Sequence, residues 1–260
     1  FSPGTASTRE VVYVDFADIT LAWGKSIIAH ELQHLLHNAQ DPYENLWLDE
    51  GNADVAIYLC FGADGTLAGH LNGWTQQSDL SVRWWNQRNA DYGAGFIFTM
   101  YLADHLGGGP AVRQLVQDSA TGGLGVENLA ISPVSGQSGK IGRTMGEIFA
   151  NFSIAATIDS DQGIYGFSNL DLNPSCGGST FCRITPADTN SDWSTPWSST
   201  GHTMEGWGIR SFKFTPGSAS PAPLTLRVTS DVSNFDGVLV YKSTTDGLWS
   251  TQDLDFNNNV

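Results

Sequence analysis

His30-Glu31-Leu32-Gln33-His34 sets two histidines four residues apart around a glutamate. On a helix, four residues advance ~400° and ~6 Å, so both imidazoles project from one face. Histidines so placed grip one metal ion, and borderline-soft zinc suits imidazole nitrogen. Glu31 lies beside them, within reach of a water activated at the metal, as a general base must be. A catalytic zinc needs a third protein ligand and an open position. The segment WLDEGNAD, residues 47–54, offers Glu50 from a second helix that turns back on the first. Asp54 follows one turn later on the same face, where a carboxylate accepts the second ring N–H of a ligand histidine and fixes its tautomer. The expected metal set is therefore His30, His34 and Glu50, with Asp54 behind it.

Other candidates have plainer readings. His37 reads as a surface or supporting histidine, offset from the His30/His34 face. His70, His105 and His202 lack a spacing partner and read as structural. Trp84-Trp85 reads as a core or groove-wall pair, with the lining of a substrate groove as the alternative. Asp159-Ser160-Asp161-Gln162-Gly163 has the alternating carboxylates that begin a calcium loop, but not the later bidentate Glu. A solvated acidic turn is the plainer reading, with calcium as the alternative.

Positioning the histidines takes a helix over about 22–38, for which Ile27, Ile28, Leu32, Leu35 and Leu36 supply an apolar stripe. A strand at 11–16, VVYVDF, precedes it. Turn residues at 41–45 lead into a helix over about 46–60. A third helix, about 92–106, stops at Gly107-Gly108-Gly109, and shorter ones fit 110–118 and 144–158. Beyond about 165 the composition shifts to Gly, Ser, Thr, Pro and Asp. Strands are expected at 207–214, 223–230 and 237–242. The fold class expected is α+β: a mainly helical catalytic domain over 1–165, a loop-rich connection over 166–204 and a β-rich, sandwich-like appendage over 205–260.

Composition narrows the functions. The 260 residues carry 27 acidic and 12 basic side chains, a net charge of −15, which argues against a nucleic-acid partner. No apolar run reaches the ~18 residues of a membrane span. The acidity fits a secreted, extracellular protein kept soluble by its charge. Cys176 and Cys182 flank a short Gly-rich loop expected to close as a disulfide, and Cys60 reads as a buried thiol. With three cysteines and no CxxC pair, a cysteine zinc site is not expected.

The HExxH segment followed on a later helix by Glu50-Gly51-Asn52-Ala53-Asp54 resembles the gluzincin metallopeptidases. The metzincin pattern fails, since it needs Gly at 37 and His or Asp at 40, where this chain has His37 and Gln40. The fuller resemblance is to the hyicolysin-type zinc metallopeptidases over about residues 8–172, through VVYVDFAD, AHELQHLLHN, LWLDEGNADVA, DYGAGFIFTMYLADHLGG and GEIFANFSIAATIDSDQGIYGF. It implies a zincin-like fold, a catalytic zinc and a protein or peptide substrate. Tyr92-Gly93-Ala94-Gly95, running to Gly107-Gly108, is similar to the Tyr-x-x-Gly segment of the zinc aminopeptidases related to leukotriene hydrolase. That similarity implies Tyr92 as the hydroxyl that polarises the scissile carbonyl. The chain departs from gluzincins in having one strand, not several, before the metal helix. An aminopeptidase would need an acidic anchor in a Gly-x-Met-Glu-Asn segment, which is absent here, so endopeptidase is the preferred expectation. The rival from another class is a non-catalytic adhesion or binding module that keeps zinc structurally.

Overall fold

Three helices frame the histidines: α1 (Gly24–Gln40), α2 (Leu46–Phe61) and, farther along the chain, α4 (Asn89–Leu106). Between the last two runs α3 (Gly65–Thr75), and α5 (Gly109–Gln117), α6 (Gly123–Ile131) and α7 (Met145–Ile158) follow α4. The computed structural model describes residues 12, 14, 15, 17, 21, 23–133, 136–175, 180–216, 224–230 and 235–254. The strand expected at 11–16 lies largely outside the described residues. The described part is α+β with a helical majority.

α4 is apolar all round and is the central helix. Phe96, Ile97, Phe98, Met100, Tyr101 and Leu102 are buried, as a helix sheathed by others requires. It packs on α2 and α3, while α1 packs on α2. Glycines let these helices meet. A Cβ on Gly51 would stand 2.6 Å from the Gly95 carbonyl oxygen, and one on Gly93 would stand 2.1 Å from that of His70. Both are backbone obstacles that cannot move aside, so the chain needs hydrogen at these two positions. Glu50 and Tyr92, the neighbours of these glycines, are brought to the same region as a result.

The helix ends follow local chemistry. Thr144 and Glu147 form a capping box at the start of α7, and the Asp64 carboxylate accepts Leu67 N–H at 2.9 Å to start α3. Gly107, at φ 119°, takes the left-handed conformation that ends α4.

α3 and α6 were not expected from the sequence. α3 reads GTLAGHLNGWT, and three glycines depress its intrinsic propensity. Burial of Leu67, Ala68, Leu71 and Trp74 overrides that cost. The apolar stripe expected to bury α1 is instead largely exposed: Ile27, Leu32 and Leu36 are 40%, 46% and 58% accessible, and Ile28 and Leu35 are only half-buried. Ile28, Leu32, Leu35 and Leu36 sit roughly 140–240° round the helix from His30, so both faces cannot meet α2. The histidine face does. Cys60, expected to be buried, is an exposed free thiol. Cys182 is buried and disulfide-bonded, and Cys176 lies outside the described residues.

The chain divides into two units, Phe1–Ala187 with Gly201–Ser211, and Asp188–Thr200 with Phe212–Val260. In the first, Leu170, Leu172, Phe181, Ile184 and Ile209 join the helical core, so that core draws on residues well beyond 165. Its short strands β1 (Leu172–Asn173) and β2 (Phe181–Cys182) pair in parallel. In the second unit β3 (Asp188–Asn190) pairs in parallel with β4 (Phe212–Phe214), and β5 (Gly237–Lys242) forms an antiparallel hairpin with β6 (Trp249–Leu254). The strand expected over 207–214 shortens to β4 because Trp207, at φ 66°, turns the chain and Ile209 N–H bonds Ser78 O at 2.6 Å. Residues 224–230, expected as a strand, form none. Among the described residues no helix is long and apolar enough to cross a membrane.

Candidate metal centre

The faces that α1 and α2 turn to each other are polar. α1 contributes His30, His34 and His37, and α2 contributes Asp49, Glu50 and Asp54. His30 Nε2, His34 Nε2 and Glu50 Oε2 form a triangle with edges of 3.0, 3.1 and 3.4 Å. Tetrahedral zinc with bonds of ~2.0–2.1 Å sets its ligand atoms about 3.3 Å apart, so these donors fit one ion. Two ring nitrogens 3.0 Å apart have room for one proton between them at most. A shared cation suits that arrangement better.

Carboxylates stand behind both histidines. His30 Nδ1 donates to Asp54 Oδ1 at 3.0 Å, and Asp54 is fully buried. The other oxygen of Asp54 accepts from His70 Nδ1 at 2.7 Å. His34 Nδ1 lies 3.0 Å from Asp49 Oδ2, and Asp49 Oδ1 lies 2.9 Å from His37 Nδ1. His30 Nδ1, donating to Asp54, leaves its Nε2 the lone pair that a metal needs, while His34 Nδ1 lies close to Asp49 without hydrogen-bond geometry.

The charges follow from this packing. Burial opposes charge on His30, yet Asp54 and Glu50 outweigh it and raise its pKa to about 9. Burial likewise opposes charge on His34, but Asp49 and Glu50 raise it to about 10. Against its own burial, Glu50 is drawn down to about 2 by the two histidines, and His34 and His37 hold Asp49 well below the usual carboxylate range. Without metal the centre is therefore a block of ion pairs.

Tyr92, in the first turn of α4, stacks on His70 at 4.7 Å between centroids and meets Trp85 edge-on at 4.7 Å. Its ring lies 6.2 Å from that of His30. Burial, then the negative charges of Glu50, Asp54 and Glu31, push its hydroxyl up to about 12. It is thus a neutral phenol and a hydrogen-bond donor at ordinary pH. Glu31 is half-buried on α1, and its charge is among those that raise the Tyr92 hydroxyl. Asp91 anchors the preceding loop, taking Asn86 N–H at 2.8 Å and Arg88 N–H at 2.9 Å. Trp85 is half-buried against Tyr92, whereas Trp84 is 65% exposed.

Of the six residues singled out from the sequence, the structure brings His30, His34, Glu50 and Asp54 into direct contact. It sets the Tyr92 ring 6.2 Å from that of His30, while Glu31 lies on the same helix as the histidines. The structure adds three others. Of the two readings of His37 the supporting one agrees with the structure and the surface one does not: it is fully buried on the same face of α1, against the Asp49 that also faces His34. Seven residues advance ~700°, within about 20° of two full turns, so its spacing from His30 carried the signal. Asp49 is adjacent to Glu50 and half-buried between two histidines. His70 comes from α3, a helix the glycine content concealed. His105, by contrast, is structural, bonding Gly166 O at 2.9 Å inside the core. At the acidic turn, both oxygens of Asp159 accept backbone amides, Phe167 N–H at 2.9 Å and Leu172 N–H at 2.7 Å.

The chain matches no protein-family model, and no curated protein matches it.

Proposed function

We propose that this chain is a secreted zinc-dependent endopeptidase of the gluzincin kind, with a zincin-like helical domain and a β-rich, sandwich-like C-terminal region. The observation that carries the reading is the triangle of His30 Nε2, His34 Nε2 and Glu50 Oε2, buttressed by Asp54. Zinc held there supplies a Lewis acid that acidifies a water and polarises a carbonyl. Glu31 accepts the proton of the attacking water and returns it to the departing amine. The neutral Tyr92 hydroxyl donates to the oxygen that becomes negative as the carbonyl is attacked. His70 and Trp85 hold the Tyr92 ring from two sides. The substrate is a protein or peptide, and the net charge of −15 argues against a nucleic-acid partner.

The test is incubation of the zinc-loaded chain with an unstructured protein, with and without chelator. Internal cuts that disappear with chelator are expected. Glu31→Gln should retain zinc and fold while losing nearly all cleavage, because an amide cannot take the proton. Terminal trimming alone would point to an aminopeptidase, and no cleavage by folded, zinc-loaded chain would point to a binding module.

A further inference from the structure

A second cluster lies at the end of α1, where His37, Asp41 and Glu44 bring one donor atom each to within 4.8 Å of one another. His37 and Asp41 are buried, at 0% and 6% exposure. His37 Nε2, Asp41 Oδ2 and Glu44 Oε2 are each shielded from solvent and without a hydrogen-bond partner. Their remaining polar atoms are all engaged. His37 Nδ1 faces Asp49 Oδ1 at 2.9 Å, with the Gln33 amide farther off at 3.4 Å. Asp41 Oδ1 accepts Tyr43 N–H at 3.1 Å. Glu44 Oε1 accepts Gly122 N–H at 2.7 Å and Asn45 N–H at 2.5 Å.

Each side chain is thus held by one atom, and its other atom is buried and unmatched. The 2.9 Å approach of Asp49 Oδ1 to Nδ1 favours the proton on that nitrogen and so the lone pair on Nε2 of His37. The three residues bring donor atoms within 4.8 Å of one another, and each keeps one buried polar atom that calls for a partner. A cation meets all three needs at once. We propose that His37, Asp41 and Glu44 bind a second divalent ion of the zinc type, distinct from the one between His30, His34 and Glu50. Imidazole nitrogen disfavours hard calcium, which takes oxygen ligands, and suits zinc. This ion fastens the last turn of α1 to the loop leading into α2, and through Glu44 to the start of α6. Asp49 joins the two centres, with one oxygen against His34 and the other against His37. The inference does not depend on the chain being a peptidase.

Metal content and thermal unfolding of the whole chain, titrated with zinc after chelation, test it. The wild type should hold two zinc ions. A His30→Ala/Glu50→Ala variant, which dismantles the first centre, should keep one. An Asp41→Asn/Glu44→Gln variant should also keep one, should cleave an unstructured protein still, and should lose the part of the zinc-induced rise in melting temperature that survives in His30→Ala/Glu50→Ala. Two ions retained in Asp41→Asn/Glu44→Gln, or none in folded His30→Ala/Glu50→Ala, would overturn the second site. Should Asp41→Asn/Glu44→Gln not fold, the count in His30→Ala/Glu50→Ala still decides. A rise in melting temperature with calcium alone that equals the rise with zinc in His30→Ala/Glu50→Ala would overturn the assignment to a zinc-type ion. Failure of the peptidase reading appears differently, as two bound ions without cleavage.

Discussion

Asp54→Asn tests the centre at the residue that orients it without touching the metal. The wild-type carboxylate is wholly buried and takes His30 Nδ1 at 3.0 Å on one oxygen and His70 Nδ1 at 2.7 Å on the other. An amide keeps the shape but offers one acceptor, so one imidazole must face an N–H. If the amide oxygen stays on His30, the tautomer survives and only the charge behind it is lost. If the amide nitrogen turns to His30, its Nδ1 must accept, and the proton moves to Nε2, the atom that should bind zinc. The shorter contact to His70 favours that second outcome. Losing an orienting partner costs ~10-fold to ~100-fold in metal affinity. At about 1.4 kcal/mol per decade, that is ~1.4–2.8 kcal/mol, and the upper end is expected here. Competition against a zinc-sensitive indicator at neutral pH measures it, with circular dichroism to check folding. A well-folded Asp54→Asn that binds zinc within about twofold of wild type would refute the argument that the Asp54 charge fixes His30.

Three further outcomes are expected. Tyr92→Phe keeps the ring contacts with His70 and Trp85 but deletes the donor, so kcat should fall by ~100-fold to ~1,000-fold with KM and zinc content nearly unchanged; near-normal kcat in zinc-loaded protein would remove Tyr92 from the chemistry. Gly51→Ala sets a methyl 2.6 Å from the Gly95 carbonyl oxygen and 2.8 Å from Thr99 Oγ1. Urea unfolding should therefore show a loss of ~1–3 kcal/mol as α2 and α4 separate. For metal-free chain, melting temperature should vary with pH on both sides. His30 and His34 rise from 6.5 to about 9 and 10, so their stabilisation is full below 6.5 and is lost as pH climbs through those values. Glu50 falls from 4.5 to about 2, so its share is full above 4.5 and is lost as pH drops towards 2. The maximum should lie between, and a melting temperature independent of pH in chelator would contradict the ion-pair network.

What the sequence made legible was the part governed by local spacing. HExxH and the Glu50/Asp54 spacing on α2 depend on positions within one or two helical turns, which periodicity orders, whereas Tyr92 was legible only through the resemblance of its Tyr-x-x-Gly segment to that of the zinc aminopeptidases. The five helices expected around them form with boundaries shifted by a few residues. What was not legible depends on which face meets which neighbour. α1 has an apolar face and a histidine face, and sequence periodicity reports both without saying which is buried. The usual rule favours the apolar one, and here it fails, because α2 presents Asp49, Glu50 and Asp54 and only histidines can match them. His37 shows the consequence. Taken as an apolar-faced helix, α1 would leave it in solvent; with the polar face turned inward it is buried, and its environment must satisfy both nitrogens. Asp49 satisfies one. The second nitrogen then makes the buried oxygens of Asp41 and Glu44 matter, because a helix that buries its polar face must find a partner for every atom on it. The same inversion leaves Leu32 and Leu36 outward, so the choice of buried face on α1 follows from donor and acceptor matching rather than from hydrophobic area.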